Sequence, residues 1–263
     1  SISGKTAVVT GAANGVGLAI ARHFHDKGAN VMFADMDEDK LAEEIGTEEE
    51  DRMGFFSGDL REKLTVQNLL SATIDRFDRV DILINASRQM ASSDPLNSDD
   101  DLVTELLNQN LITALRLTQV FARRMIKQRE RDENEGPAGS IINLSSIAAR
   151  RTHPDLLAYS VSSAALDQLT RSMAVALAEH RIRVNAIALG SVMSASLKNS
   201  IQEHSEVREE ILDCTPLQRI ASPGELAEVA QFLASDSAGF MTGQILTVDG
   251  GRTLVDPSDT SAH

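Results

Sequence analysis

Short apolar segments alternate with longer amphipathic segments along this chain of 263 residues. Each apolar segment has the length and composition of a buried strand, and together they predict seven strands: residues 6–10, 30–34, 53–57, 80–85, 140–145, 182–188 and 244–248. The segments between them, such as residues 156–180, have the helical period that crossover helices of a parallel sheet require. The sequence therefore predicts an open α/β fold, a doubly wound sheet of seven mainly parallel strands with helices on both faces.

We interpret residues 1–263 as a single domain, because no linker rich in Gly, Ser or Pro interrupts this alternation. The polar run at residues 128–139 lies between a predicted helix and the next predicted strand, which favours a solvated loop over a domain boundary. Residues 255–263 are polar, include a proline and are expected to fray.

Charge and composition argue against several classes of partner. Asp and Glu number 39 against 25 Lys and Arg, and the resulting net charge of −14 repels nucleic acid and anionic membranes. Aromatic residues make up 3% of the chain and Trp is absent, so no platform for base stacking is expected. No apolar stretch approaches the length of a membrane span, which takes about 18 residues or more. We therefore expect no nucleic-acid partner, no membrane partner and no signal peptide.

Cys214 is the only cysteine of the sequence. A single cysteine forms no intrachain disulfide and cannot build a cysteine-based zinc site. His23 and His25 are two residues apart on a predicted helix and point in different directions, which argues against a metal pair. We expect no metal site and a reducing, cytoplasmic location.

A glycine-rich turn, TGAANGVG at residues 10–17, lies between the first predicted strand and a predicted helix. Glycines in such a turn permit a sharp bend, a close approach of the backbone to a pyrophosphate and tight helix packing, while the helix N-terminus attracts the anion. The spacing is G-x-x-x-G-x-G rather than the common G-x-G-x-x-G, but the position between strand and helix favours a nucleotide site. The candidate cofactor-binding residues of the turn are Gly11, Asn14, Gly15, Val16 and Gly17.

Asp35 follows the second predicted strand, 24 residues after Gly11. A carboxylate at this position can accept hydrogen bonds from both hydroxyls of an adenosine ribose and repels a 2′-phosphate. Asn14, which precedes Gly15, supplies no cation for such a phosphate. These residues favour NAD(H) over NADP(H); the alternative is a solvated aspartate at the start of the acidic segment 35–40.

Across nearly its whole length the sequence resembles the classical short-chain dehydrogenase/reductase family. The matching segments, in the order of the family, are TGAANGVG (10–17), GDL (58–60), DILINA (81–86), GSIINLSS (139–146), YSVSS (159–163), RIRVNAIALG (181–190) and GQILTVDGG (243–251). The resemblance implies a single Rossmann-like domain that transfers a hydride between a nicotinamide and an alcohol or carbonyl carbon. It also implies further cofactor contacts at Asp59, Leu60, Asn85, Ala86, Tyr159, Gly190 and Val192.

The resemblance assigns catalytic roles to three residues. Tyr159, the only tyrosine, matches the general acid/base; Ser146, 13 residues earlier, matches the hydroxyl that holds the substrate oxygen. Asn110 matches a helix residue that organises a proton-relay water. These roles agree with the chemistry, because hydride transfer to a carbonyl builds negative charge on oxygen, which a phenol protonates and a serine hydroxyl stabilises.

The fourth catalytic position departs from the family, because Ser163 occupies the place of a lysine four residues after Tyr159. A serine hydroxyl can accept a hydrogen bond from a ribose but supplies no positive charge to the phenol. Arg88 is a second departure, at a position where the family has glycine close to the cofactor. Its guanidinium either reaches the site and partly replaces the missing cation or points to solvent. His153, six residues before Tyr159, is either a substitute proton carrier or a loop residue that faces solvent.

Two functions remain open from the sequence. The first is an NAD(H)-dependent oxidoreductase that acts on a small-molecule secondary alcohol or ketone with an impaired or altered proton relay. The second is a non-catalytic NAD(H)-binding homologue that serves as a sensor or a partner subunit. By resemblance, residues 193–219 form a substrate lid; the alternative is that their apolar residues only dock a helix on the core. The resemblance also implies that the chain assembles as a homotetramer or homodimer.

Overall fold

The computed structural model describes residues 1–45, 52–130, 136–203 and 205–256. Its strands are β1 (Thr6–Thr10), β2 (Asn30–Asp35), β3 (Met53–Ser57), β4 (Ile82–Asn85), β5 (Gly139–Ser146), β6 (Ile182–Leu189) and β7 (Ile245–Val248). They form one sheet in the order β3-β2-β1-β4-β5-β6-β7, and every neighbouring pair is parallel.

Helices connect the strands and flank the sheet. Within the described ranges they are α1 (Gly15–Asp26), α2 (Glu38–Ile45), α3 (Lys63–Phe77), α4 (Leu102–Leu107), α5 (Thr113–Arg129), α6 (Leu157–Leu177), α7 (Ala195–Glu203), α8 (Ser205–Asp213) and α9 (Pro223–Ala234). A π-helical turn, Asn108–Ile112, joins α4 to α5.

The sheet separates two hydrophobic cores. On one face, Val9 of β1 packs in a cluster with Phe24 of α1 and Leu233 of α9. On the other face, Val8 packs in a cluster with Phe121 of α5 and with residues of α3 and α6. Consecutive strand residues thus enter opposite cores, which explains why the strands read as uninterrupted apolar runs.

The strand order reverses at β1, which in open α/β sheets is the usual place of a ligand crevice. β1 is between β2 and β4: from β1 to β3 the chain moves outward on one side, and from β4 to β7 it moves outward on the other side. At such a reversal the loops after the two central strands diverge, which opens a cleft beyond their carboxyl ends. The glycine-rich turn follows β1 and the loop that carries Arg88 follows β4, so both border this cleft.

The predicted fold class is confirmed, and the predicted strands agree with the observed ones within two residues at each end. The segment 193–219 contains α7 and α8, and its role as a lid stays a prediction. Residues 131–135 of the polar run and 257–263 of the expected frayed tail lie outside the described residues.

Candidate active site

The carboxyl ends of the central strands bring the predicted site residues to one edge of the sheet. β1, β2, β4 and β5 end at Thr10, Asp35, Asn85 and Ser146 respectively. Tyr159 lies in the first turn of α6, the helix that follows β5. The predicted cofactor and catalytic residues therefore surround one crevice, which in open parallel sheets is the usual ligand position.

The glycine-rich turn packs closely against the loop after β4. Gly11 has a φ of +64°, and a Cβ at this position would lie 2.7 Å from the carbonyl oxygen of Ala86. A side chain at Gly17 would collide with the backbone of Gly11. Gly15 has a φ of +56° and open space where a side chain would project, so a ligand can approach its backbone.

The N-terminus of α1 lacks the groups that most often neutralise a helix end. Asn14 is the N-cap residue, but its exposed side chain makes no capping hydrogen bond, and the first turn contains no acidic residue. The N–H groups and the dipole of this helix end therefore favour an anion. Together with the open backbone at Gly15 and the following Val16, they fit the diphosphate of a dinucleotide.

The carboxylate of Asp35 is held in place by backbone amides. Its Oδ2 accepts a hydrogen bond from Ala13 at 3.0 Å, while Oδ1 accepts from Met36 at 2.8 Å and from Asp37 at 3.1 Å. A carboxylate offers about four lone-pair positions, so acceptor capacity remains for hydroxyl donors. The half-buried Asp35 is therefore placed to accept a hydrogen bond from a ribose hydroxyl next to the glycine turn.

Asp59 and Leu60 follow β3, the strand paired with the end of β2. Leu60 is buried in the core beneath the sheet. The guanidinium of Arg61 binds both carboxylate oxygens of Asp59, with Nη2 2.6 Å from Oδ2, and this hydrogen bonding lowers the pKa of the Asp59 carboxyl. The carboxylate of Asp59 is therefore committed to Arg61, and its contact with an adenine stays a prediction.

Thr10 was not predicted as a site residue, yet it ties the loop after β4 to β1. Its hydroxyl donates to the carbonyl of Ile84 at 3.2 Å and accepts from the amides of Ala86 at 3.0 Å and Ser87 at 3.1 Å. The sequence signal was a hydroxyl residue between an apolar strand and the glycine turn. Such a hydroxyl can donate and accept at once, which fixes the start of the loop that carries Arg88.

Asn85, Gly190 and Val192 lie at the ends of β4 and β6. The buried Asn85 donates to the side-chain oxygen of Asn143 in β5 at 2.8 Å. A Cβ at Gly190 would lie 2.9 Å from Asp249, and Val192 is buried in an isolated parallel bridge to the segment before α9. Their positions border the crevice, and their contacts with a cofactor stay predictions.

Tyr159 is buried, with 4% of its surface exposed. Its ring belongs to a cluster with Leu106, Ala148 and Ala158. The hydroxyl of Ser146 accepts a hydrogen bond from the backbone amide of Ala148 at 3.1 Å. Ala148 therefore links the two predicted catalytic residues.

Asn110 lies in the π-helical turn, a feature that is frequent at functional sites. Its Oδ1 accepts from the amide of Gln89 at 2.8 Å, and its Nδ2 donates to the carbonyl of Gln89 at 2.9 Å and to the hydroxyl of Ser162 at 3.1 Å. Ser162 in turn donates to the backbone carbonyl of Tyr159 at 3.0 Å. The side chain of Asn110 thus connects the loop after β4 to α6.

The guanidinium of Arg88 contacts the hydroxyl of Tyr159. Its Nη1 donates a hydrogen bond to the phenolic oxygen, and its central carbon lies 5.9 Å from the centroid of the ring. Arg88 is half-buried, so the structure has the inward orientation of the two that the sequence left open. A positive charge thus reaches the phenol from the loop after β4 rather than from α6.

Ser163 and Asp167 continue the helix face that begins at Tyr159. Both are buried, and the carbonyl of Ser163 accepts from the hydroxyl of Ser145 at 3.4 Å. Burial raises the pKa of the Asp167 carboxyl, and its Oδ1 has no hydrogen-bond partner in the described part of the chain. Asp167 was not predicted; the available signal was a carboxylate on an otherwise small and apolar helix face.

His153 lies on the surface. Of the two alternatives that the sequence left open for it, the structure has the loop residue that faces solvent. Its Nδ1 accepts from the amide of Asp155 at 3.3 Å, and 62% of its side chain is exposed. Across residues 1–45, 52–130, 136–203 and 205–256, no group of three or more His, Cys, Asp or Glu side chains is placed to hold a metal ion. In the same ranges, none of the helices has both the length and the apolar character needed to cross a bilayer.

A sequence model of the family described as "Enoyl-(Acyl carrier protein) reductase" matches residues 11–253. Among curated relatives, the oxidoreductase UcpA of Salmonella typhimurium is 33% identical over 261 residues, covering 96% of each chain. The 7alpha-hydroxysteroid dehydrogenase of Escherichia coli is 32% identical over 254 residues, covering 95% of this chain and 94% of the relative.

Solved structures show the same likeness in three dimensions. A 7α-hydroxysteroid dehydrogenase in complex with NADH and 7-oxo glycochenodeoxycholic acid superposes with a TM-score of 0.84 at 30% identity, covering 95% of this chain and 94% of that one. The crystal structure of gox2181 superposes with a TM-score of 0.87 at 29% identity, covering 96% and 97% of the two chains.

Proposed function

Because this chain belongs to the short-chain dehydrogenase/reductase family of oxidoreductases, we propose that it interconverts a secondary alcohol and its ketone with NAD(H). The observation that carries the proposal is the buried phenol of Tyr159, paired with a guanidinium beside the crevice that the glycine turn borders. A non-catalytic role as a sensor or partner subunit is disfavoured, because the relatives compared above carry the names of an oxidoreductase and a dehydrogenase.

The nicotinamide, when bound, would donate a hydride to the substrate carbon in reduction or accept one from it in oxidation. In the direction of reduction, the proton of the Tyr159 hydroxyl moves to the carbonyl oxygen as the new C–H bond forms, and Tyr159 becomes a phenolate. The hydroxyl of Ser146 donates a hydrogen bond to the same oxygen and stabilises its developing charge. In the direction of oxidation, the phenolate takes the proton of the alcohol hydroxyl.

Asp35 supports the choice of NAD(H) over NADP(H). Its carboxylate is anchored by the amides of Ala13, Met36 and Asp37 and keeps acceptor capacity for about one ribose hydroxyl. A 2′-phosphate at the same position would meet this fixed negative charge. Asn14 offers no compensating cation at the turn.

Residues 193–219, with α7 and α8, are proposed as the lid that covers the substrate. A homodimer or homotetramer and a cytoplasmic location also stay proposals, the latter supported by the single Cys214.

The test is NADH binding followed by NADH absorbance with a panel of ketones and, in reverse, the corresponding alcohols with NAD⁺. We expect turnover by the unaltered chain, and in the Tyr159→Phe variant a loss of about 10²- to 10⁴-fold with NADH binding retained. Equal turnover rates for the unaltered chain and Tyr159→Phe would show that the Tyr159 hydroxyl takes no part in the reaction. Binding of NADH without turnover of any substrate would favour the non-catalytic role.

A further inference from the structure

Arg88 brings a positive charge into contact with the hydroxyl of Tyr159. A phenol that exchanges protons with a substrate is a phenolate for part of the cycle. A buried anion is costly unless a cation or several hydrogen bonds stabilise it. Because Tyr159 is 4% exposed, solvent supplies little of this stabilisation.

The loop on the N-terminal side of Arg88 is fixed to two other elements. The amide of Ser87 donates to the hydroxyl of Thr10 at 3.1 Å. The hydroxyl of Ser87 accepts from the side-chain amide of Gln109, in the π-helical turn, at 3.1 Å. The backbone of Arg88 is therefore held between β1 and the π-helical turn.

The loop on the C-terminal side of Arg88 is fixed as well. The side chain of Asn110 binds both the amide and the carbonyl of Gln89, and also binds Ser162 of α6. Because Ser162 donates to the carbonyl of Tyr159, the same network that holds the loop also holds the helix that carries the phenol. The contact of Arg88 with Tyr159 thus follows from a connected polar frame rather than from a free loop.

The geometry leaves the phenol able to react. A hydroxyl oxygen can accept the hydrogen bond of Arg88 and still direct its own proton toward a second acceptor. The guanidinium carries only hydrogen-bond donors and no acceptor, so it stabilises the phenolate without competing for the proton. Ser163, one turn further along α6, is neutral and cannot supply this charge.

We propose that Arg88 is the cationic positioning residue of Tyr159. From the loop after β4, its guanidinium stabilises the phenolate form of Tyr159. The catalytic consequence rests on the proposed function. During reduction, the phenol proton moves to the carbonyl oxygen of the substrate, and the phenolate stays paired with a guanidinium that keeps all its protons.

The test uses a favourable property of the sequence. Tyr159 is the only tyrosine and Trp is absent, so the near-ultraviolet absorbance of tyrosinate reports this phenol alone. We expect the midpoint of the phenol-to-phenolate change to rise by about one to three pH units in the Arg88→Met and Arg88→Gln variants of the full chain. Arg88→Lys, which keeps a charge, is expected to restore at least half of that shift.

Arg171→Met is the matched control, because it removes an exposed arginine about 18 Å along α6 at 1.5 Å per residue. Its midpoint is expected to equal that of the unaltered chain. Circular dichroism and the thermal midpoint verify folding, and the Gln variant keeps a polar side chain in the loop if Met disturbs it. The inference is overturned if the Met, Gln and control variants all titrate together with the unaltered chain.

The titration needs neither cofactor nor substrate, so it separates this inference from the proposed function. A shifted midpoint of the phenol titration in the Arg88 variants, without NADH binding or ketone reduction by the unaltered chain, supports the Arg88–Tyr159 pairing and contradicts the proposed function. Ketone reduction by the unaltered chain, with unshifted titration midpoints in the Arg88 variants, supports the proposed function and contradicts the Arg88–Tyr159 pairing. If the Arg88–Tyr159 pairing and the proposed function are both correct, Arg88→Met must raise two values together. These are the midpoint of the phenol titration and the pH at which the oxidation rate levels off.

Discussion

The side chain of Asn110 pairs with the backbone of Gln89 on both of its polar atoms, accepting the amide at 2.8 Å and donating to the carbonyl at 2.9 Å. A side-chain amide used in this way imitates the pairing of one strand with another. The π-helical turn brings the amide to the loop, and Gln89 directly follows Arg88. Asn110 therefore fixes the backbone of the residue that follows Arg88.

Asn110→Leu should detach this loop while keeping a side chain of similar size. Each lost hydrogen bond costs about 0.5–1.5 kcal/mol, so we expect a lower thermal midpoint and a turnover reduced by about tenfold or more. The measurement is kcat together with the thermal midpoint. Asn108→Leu is the control, because Asn108 is an exposed residue of the same π-helical turn. Similar losses in the two variants would assign the effect to the turn as a whole and contradict a specific role for Asn110.

The choice between NAD(H) and NADP(H) should depend on Asp35. In Asp35→Ser the carboxylate that faces the proposed ribose site is lost, and hydrogen bonds to a charged group are worth about 1.5–3 kcal/mol. We expect the Kd for NADH to rise by about 10- to 100-fold and the preference over NADPH to shrink, measured by the fluorescence of the reduced cofactors. Asp39→Asn removes an equal charge from an exposed position of α2 and should leave the ratio of the two Kd values in place. An unchanged ratio in Asp35→Ser would place cofactor selection elsewhere.

Much of the fold could be predicted from the sequence, because its signals are local. Val8 and Val9 face opposite cores, so a strand buried on both faces reads as a continuous apolar run. Gly11 and Gly17 could likewise be identified, since backbone packing at both positions leaves no room for a Cβ.

The direction of Arg88 could not be predicted from the sequence. It depends on contacts of its loop with Thr10 and with Gln109 and Asn110, which are distant in the chain. The π-helical turn that presents Asn110 also has no periodic signature of its own. The departure that the resemblance predicts at Ser163 depends on one position of the sequence, whereas the contact of Arg88 with Tyr159 required the arrangement of three separate segments.

Ser163→Lys tests whether the charge from Arg88 and a charge from α6 serve the same purpose. An ammonium about 4 Å from the phenolate would stabilise that anion by about 4 kcal/mol at an effective dielectric near 20. With Arg88 in place, we expect turnover to change by less than about tenfold, since the phenolate already has a cation. In the Arg88→Met background, the same Lys is expected to recover most of the lost rate. A double-mutant cycle of kcat/KM values for Ser163→Lys and Arg88→Met measures the coupling between the two positions. If Ser163→Lys raises kcat/KM by the same factor with and without Arg88, the two cations act independently.

Asp167→Asn should stabilise the protein above acidic pH. Burial raises the pKa of the Asp167 carboxyl, and the Ser145 hydroxyl and the charges of Arg150 and Arg171 only partly oppose this. A carboxyl whose pKa is higher in the folded than in the unfolded state contributes its full stability below the unfolded value, near pH 4, and loses it as the pH rises toward the folded value. The amide avoids this loss because it carries no charge.

We therefore expect the free energies of unfolding of Asp167→Asn and of the unaltered chain to be similar near pH 4 and to diverge in favour of the variant as the pH rises. Urea unfolding at a series of pH values from about 4 to about 8 measures the difference. Asp75→Asn, at an exposed position of α3, controls for the loss of one negative charge from a chain with a net charge of −14. A variant less stable than the unaltered chain at high pH would mean that the ionised Asp167 is paired in the fold. Its interaction with the two arginines would then outweigh the cost of burying its charge.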